Sequence, residues 1–285
     1  MFEDIHHLVF DGTSGRILEK DVRRAVDGGE PEKEQVSLFE LADLEEAWLQ
    51  TAEADEALAY WRELLAGCEP GCLPERDRWE ETRSQGWLTR FAELDEDAFS
   101  SLRHRAGCST SAFFTAAFGY LVSVFTGQED ILFNTIAAGR DEATANTVGM
   151  LVRTMPVRMS MKGRGAVDDL LKQVNARVEQ SRKYARYPYL KLAEAFGLKP
   201  EITFAYHGKL TKEELISGWN VDVERLYDEA HFEAVPLLFE VSQPAPGRYR
   251  VHMGFRDDYY SREWAESFME SFLAIVRELF VRETL

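Results

Sequence analysis

The chain has little cysteine, and this scarcity excludes a secreted fold held together by disulfides. Its 285 residues include only Cys68, Cys72 and Cys108. Three thiols give no disulfide framework and fit a reducing compartment. Cys68 and Cys72 bracket a short loop, but no second pair of ligands follows at a spacing typical of a metal site. We therefore predict a cytoplasmic protein with incidental thiols and no bound metal.

Long apolar runs and an excess of positive charge are also absent. No run approaches the length of a membrane span, and no basic segment precedes an apolar one at the start. The 50 acidic and 33 basic residues give a formal net charge of -17. Such a charge repels phosphate backbones and anionic lipids, so neither a nucleic acid nor a membrane is an expected partner.

The chain does contain alternating strand-like and helix-like segments, and its 45% hydrophobic content is enough for a sizeable core. No phosphate-binding loop, dinucleotide fingerprint or internal repeat interrupts them. The pattern predicts an α/β fold with a mixed sheet. Predicted strands cover 5–10, 87–91, 131–138, part of 147–158, 202–206, 236–241 and 249–255. Predicted helices cover 14–22 with Ser14 as the candidate cap, 38–65 with a break at 52–55, one starting near 95–99, 110–126, 167–184, 189–196 and 261–279.

The most informative segment is His6-His7-Leu8-Val9-Phe10-Asp11-Gly12. Histidine accepts a proton near neutral pH, a nearby aspartate can hold an imidazole or its loop in place, and glycine widens the choice of backbone conformations. A surface pair of histidines is the plainer alternative, but this pair lies inside an apolar run. Adjacent histidines on a strand point to opposite faces, which argues against a shared metal ion.

Several segments, in order, resemble those of nonribosomal peptide synthetase condensation domains. His6–Gly12 matches their HHxxxDG motif, and Gly127–Asp130 followed by Ala138–Arg140 is similar to G-Q-x-D…A-G-R. Gly149–Arg158 resembles G-x-F-V-N-T-L-P-L-R, and Tyr187–Tyr189 resembles the start of Y-P-F-E. The ordered set spans nearly the whole chain and is more specific than HHxxxDG alone.

The resemblance implies a chloramphenicol acetyltransferase-like fold of two lobes with a tunnel between them. The reaction would be attack of an acceptor aminoacyl amine on a donor acyl or peptidyl thioester, which gives an amide. Both substrates would arrive on 4'-phosphopantetheine arms of peptidyl carrier domains, beside adjacent adenylation and carrier modules, with no cofactor bound directly. His7 would be the catalytic residue. His6, Asp11 and Gly12 would support the site, with Asp11 paired to an arginine.

The chain also departs from the family pattern. Leu151 and Arg153 stand where phenylalanine and asparagine are common, and the resemblance implies that Gly149 and Arg153 line the tunnel. A substantial segment precedes HHxxxDG in this family and would supply the arginine that pairs with Asp11. The chain is therefore expected to hold a remnant of the N-terminal lobe (1–67), a linker (68–86) and the C-terminal lobe (87–285).

Two expectations follow from that incomplete lobe. The chain alone should not catalyse condensation. The predicted strand Ile5–Phe10 should lack sheet neighbours, which favours self-association or pairing with the missing segment.

Three alternatives stay open. An epimerisation domain shares the fold and HHxxxDG, but it needs a second acid/base glutamate in an E-G-H-G-R-type motif, which Trp79–Arg83 and its surroundings lack. A stand-alone acyltransferase would use coenzyme A. A non-catalytic module would only dock carrier domains.

Overall fold

A computed structural model describes residues 5–69, 71–79, 84–162, 165–199, 201–209 and 235–281. Within these ranges helices and strands alternate, as the sequence pattern predicts. The helices are α1 Gly12–Val26, α2 Leu38–Trp48, α3 Ala52–Leu65, α4 Glu96–Ala106, α5 Thr110–Thr126, α6 Val167–Lys183, α7 Tyr189–Phe196 and α8 Arg262–Val281. The strands are β1 Gln85–Glu93, β2 Asp130–Ala137, β3 Arg153–Ser160, β4 Ile202–Lys209, β5 Leu237–Ala245 and β6 Arg248–Arg256.

The six strands form one sheet in the order β1-β6-β5-β4-β2-β3. Strands β2, β4 and β5 run parallel to one another, while β3, β6 and β1 pair antiparallel to their neighbours. The sheet is therefore mixed and flanked by helices, which confirms the predicted fold class. The parallel strands β2, β4 and β5 all end at the same edge of this sheet.

Helix α5 is the centre of the core. Ser109 caps its first turn, and Gly127 ends it in the left-handed conformation with φ of 68°. Its apolar residues on all sides predict a buried helix, and Phe118 packs against Phe133, Phe204 and Phe239 of three strands. Trp61 of α3 belongs to the same buried cluster. The domain boundaries at residues 67 and 86 stay predictions.

The prediction of a strand at Ile5–Phe10 is wrong. These residues form a loop with a turn, in which the Val9 N–H donates to the His6 carbonyl over 3.1 Å. The Leu8 N–H donates to Nδ1 of His6, also locally. Because these residues form a turn and not an extended strand, they present no strand edge, and the argument for self-association through an unpaired edge loses its basis.

Two element boundaries also differ from the prediction. Helix α1 is capped by Asp11 rather than Ser14 and runs on to Val26. Strand β1 begins at Gln85, inside the predicted linker, because Gln85 and Gly86 already pair with Arg256 and Phe255 of β6. A Cβ at Gly86 would lie 2.2 Å from the Phe255 ring. Residues 70 and 80–83 of the linker, and with them most of the segment Trp79–Arg83, lie outside the described residues.

No single helix in the described ranges is long and apolar enough to cross a membrane, although α4 and α5, which meet at 84°, reach that length and composition together. The same ranges hold no group of three or more His, Cys, Asp or Glu side chains placed to bind a metal ion.

Candidate functional site

The two histidines of the opening motif carry their protons on different nitrogens. His7 Nδ1 lies 2.5 Å from the Phe10 carbonyl oxygen, which can only accept, so Nδ1 carries the hydrogen. His6 Nδ1 instead accepts the Leu8 N–H over 3.0 Å. The neutral His7 therefore exposes an unprotonated Nε2, whereas the neutral His6 carries its hydrogen there. Of these two histidines, His7 is the one that presents a free basic nitrogen.

Asp11 anchors this loop to the rest of the fold. It is the N-cap of α1, and its Oδ1 accepts the backbone N–H of Ser14 over 2.9 Å. Its Oδ2 accepts from Arg140 over 2.5 Å and from the Leu151 N–H over 3.0 Å. Burial by itself raises the pKa of Asp11, but the hydrogen bonds from Arg140, Ser14 and Leu151 outweigh it and lower the pKa below 3.8.

The partner of Asp11 corrects the sequence expectation. The pairing arginine is Arg140, inside the chain after β2, and not a residue of a segment preceding the motif. The Asp11 side chain is 0% exposed and that of Arg140 10%, so the ion pair is buried. The A-G-R stretch contained this arginine, but no local pattern in the sequence assigns its partner 129 residues away.

Glycines permit the close packing around this pair. A Cβ at Gly139 would lie 1.8 Å from the Leu151 carbonyl oxygen, so only glycine fits between Ala138 and Arg140. A Cβ at Gly149 would lie 2.7 Å from Leu38 of α2. The predicted role of Gly149 in a tunnel wall stays a prediction, but its backbone is one of the supports of α1.

Ser14 is a site residue that the sequence analysis treated only as a helix cap. Its hydroxyl is fully buried and lies within 3.1 Å of polar atoms of Asp11, Arg140 and Gly149. The sequence signal for this role was the spacing, since a residue three positions after an N-cap can face the cap and Ser14 follows Asp11 by three.

The other predicted site residues lie around this centre. Gly12 is exposed and begins α1, and no atom lies within 4 Å of a Cβ placed on it. Arg153 begins β3 and forms an ion pair with Glu45 of α2. Burial and the neighbouring Arg186 lower the pKa of Arg153. Whether Arg153 lines a substrate path stays a prediction.

A polar cavity of about 380 Å³ lies away from this site. Its walls include Asp130 at the start of β2 and Ser160 at the end of β3, whereas the HHxxxDG loop is bound beyond the opposite ends of those strands. The eight residues of β2 span about 26 Å at 3.3 Å per residue. The cavity is therefore not part of the histidine site.

Comparison with known families decides the identity. The family model "Condensation domain" matches residues 1–282. The chain belongs to the condensation-domain family. Among curated relatives, bacitracin synthase 1 of Bacillus licheniformis is 28% identical over 204 residues, and the match covers 70% of this chain. Surfactin synthase subunit 1 of Bacillus subtilis is likewise 28% identical, over 210 residues.

This condensation-family chain is short beside those relatives, because the match covers 4% of bacitracin synthase 1 and 6% of surfactin synthase subunit 1. Solved structures agree in fold. The first condensation domain of the calcium-dependent antibiotic synthetase has a TM-score of 0.73 at 16% identity, with 99% of this chain and 64% of that chain covered. The epimerization domain from the third module of tyrocidine synthetase B has a TM-score of 0.74 at 20% identity, with 98% and 69% covered.

Proposed function

We propose that this chain carries the proton-accepting histidine of a peptide-bond-forming condensation domain. The reaction joins a donor acyl or peptidyl thioester to the amine of an acceptor aminoacyl thioester. Both substrates are held on carrier domains through 4'-phosphopantetheine, and a cytoplasmic location is part of the proposal. The observation that carries it is the placement of His7, whose Nδ1–H is bound by the Phe10 carbonyl so that Nε2 is free to accept a proton.

The chemistry needs one such group. As the acceptor nitrogen attacks the thioester carbonyl, a carbon–nitrogen bond forms and the nitrogen must lose a proton. Nε2 of His7 takes that proton, and the departing sulfur regains one when the carbon–sulfur bond breaks. A free α-amine titrates near pH 8, so an imidazole needs only to accept the proton as the new bond forms.

The decisive experiment replaces His7 by alanine in the synthetase that contains this chain and measures amide formation between two loaded carrier domains. We expect the rate to fall about 10²- to 10⁴-fold, the usual contribution of a general base. His104→Ala on α4, an exposed histidine outside the site, is the matched control and should leave the rate unchanged. Full activity of His7→Ala contradicts the proposal.

The same experiment separates the alternatives. Unchanged product with retained carrier binding favours a module that only docks carriers. Inversion of the donor's α-carbon without amide formation favours epimerisation, which no comparison supports better than condensation. Turnover with free coenzyme A thioesters favours a stand-alone acyltransferase.

We further propose that the chain alone is inactive. His7 is exposed, and so are Leu8 (75%), Val9 (45%) and, on α2, Phe39 (85%). A site that handles a thioester normally excludes water, so a further protein surface must cover these side chains. That surface is another polypeptide segment or a second copy of the chain. Amide formation by the isolated 285-residue chain, or a strictly monomeric species at all concentrations that also binds no such segment, contradicts this part.

A further inference from the structure

The Ser14 hydroxyl uses its whole hydrogen-bonding capacity at a junction between distant segments. Its Oγ lies 2.9 Å from both the nitrogen and the oxygen of Gly149, 3.1 Å from Arg140 Nη2 and 3.0 Å from Asp11 Oδ1. A hydroxyl accepts two hydrogen bonds and donates one. The Gly149 N–H and Arg140 are the donors, and its own hydrogen goes to Asp11 or to the Gly149 carbonyl. The capping contact between Ser14 and the N-cap Asp11 requires none of the contacts to Gly149.

A short chain of contacts links this hydroxyl to the histidine. The Ser14 backbone N–H donates to Asp11 Oδ1 over 2.9 Å, and the Ser14 hydroxyl lies 3.0 Å from the same oxygen. Asp11 is thereby kept extended as the N-cap, with φ of -123° and ψ of 176°. That conformation sets the direction of the preceding peptide unit, whose oxygen belongs to Phe10 and accepts the His7 Nδ1–H.

We infer that Ser14 is a positioning residue, whose hydroxyl ties Asp11 to the Gly149 backbone and through the Phe10 carbonyl fixes the tautomer and orientation of His7. The inference rests on the proposed function, because orientation matters only if His7 accepts a proton. The placement of His7 can nevertheless be measured without any turnover.

The test is a long-range ¹H–¹⁵N spectrum of the full chain, which distinguishes imidazole tautomers, with His7→Gln to assign the signals. Wild type is expected to show one tautomer at His7, protonated on Nδ1. Ser14→Ala is expected to show a mixture. Thr13→Ala is the matched control, since Thr13 is the neighbouring hydroxyl on α1 and accepts from the exposed Arg16, over 3.1 Å. It should keep the wild-type spectrum.

Ser14→Cys covers the case in which Ser14→Ala fails to fold, because a thiol fills the site but forms weak hydrogen bonds. A folded Ser14→Ala or Ser14→Cys chain with the wild-type His7 tautomer overturns the inference. In the synthetase, a shift of His7 by 1 Å should lower kcat about 10²-fold without raising KM.

The two proposals fail in different ways. If the Ser14 variants change the tautomer but His7→Ala leaves condensation intact, the proposed function fails and the positioning stands. If His7→Ala abolishes condensation while the Ser14 variants leave both the tautomer and kcat intact, only the positioning role fails.

Discussion

Removal of the Asp11 carboxylate is the sharpest test of the structural account of this site. Asp11→Ala deletes the cap of α1, leaves the Leu151 N–H without its acceptor and leaves the Arg140 charge buried and unpaired. The separate costs overlap, because one carboxylate serves all three partners. Breaking a buried ion pair by removing one member costs about 3–5 kcal/mol, and we take about 4 kcal/mol as the expected loss.

The assay is thermal and urea unfolding of the full chain. One kcal/mol shifts Tm by about 2–4 °C in a chain of this size, so the Asp11→Ala variant should melt about 10 °C lower. Asp141→Ala is the matched control. Asp141 accepts from the N–H and the hydroxyl of Thr144, three residues on, just as Asp11 does from Ser14. Asp141 is exposed, however, and its removal leaves no buried arginine without a partner. Its loss should cost no more than about 1 kcal/mol.

A double variant then isolates the ion pair itself. Asp11→Ala with Arg140→Met removes both charges, so no buried charge is left without a partner. We expect its loss of stability to be smaller than the sum of the two single losses by about 2 kcal/mol. If the Asp11→Ala variant melts within about 2 °C of the Asp141→Ala variant, the buried Asp11–Arg140 ion pair stabilises the chain no more than the exposed Asp141 does, and the reasoning is refuted.

Two further predictions concern titration. The pKa of Asp11 is below 3.8 in the folded chain, so the ionised carboxylate stabilises the fold above pH 3.8. This stabilisation is lost as the pH falls through the pKa of the folded chain. In acid urea melts below pH 4, the wild type should therefore lose unfolding free energy more steeply than the Asp11→Asn variant. Burial raises the pKa of Cys72 to about 12 and that of Cys108 to about 11, so iodoacetamide at pH 8 should alkylate the less buried Cys68 first. Faster labelling of Cys72 in the folded chain would contradict the burial of its thiol.

Local signals in the sequence predicted the elements whose ends are local. Ser109 and Gly127 mark the ends of α5 because a hydroxyl cap and a left-handed glycine each act within one turn. The six strands of the described residues, and the mixed α/β fold, were likewise predicted from local apolar runs. The start of α1 could not be predicted in this way, because Asp11 and Ser14 are both good cap residues. The choice between them depends on Arg140 and Leu151, which are far away in sequence.

The prediction failed where a strand-like composition lacked a partner strand. Ile5–Phe10 has the apolar residues of a strand, but a strand is stable only beside another, and here the turn from His6 to Val9 satisfies the backbone instead. The residue types of the motif could be recognised in the sequence. The structure links Asp11 to the Gly149 backbone through Ser14, and His7 bonds to the Phe10 carbonyl in the loop just before Asp11. Their geometry was not recognisable, since it depends on contacts across the fold.

The sequence separation of those contacts has a consequence for how the site forms. Arg140, Gly149 and Leu151 hold Asp11 and Ser14 across 126 to 140 residues of chain. Closing so long a loop costs conformational entropy before any contact compensates it, and the cost grows as the logarithm of the length. The HHxxxDG loop therefore gains its supports only where the connection between β2 and β3 packs against it. The orientation of His7 is accordingly a property of the assembled sheet edge, and the motif by itself is not sufficient to produce it.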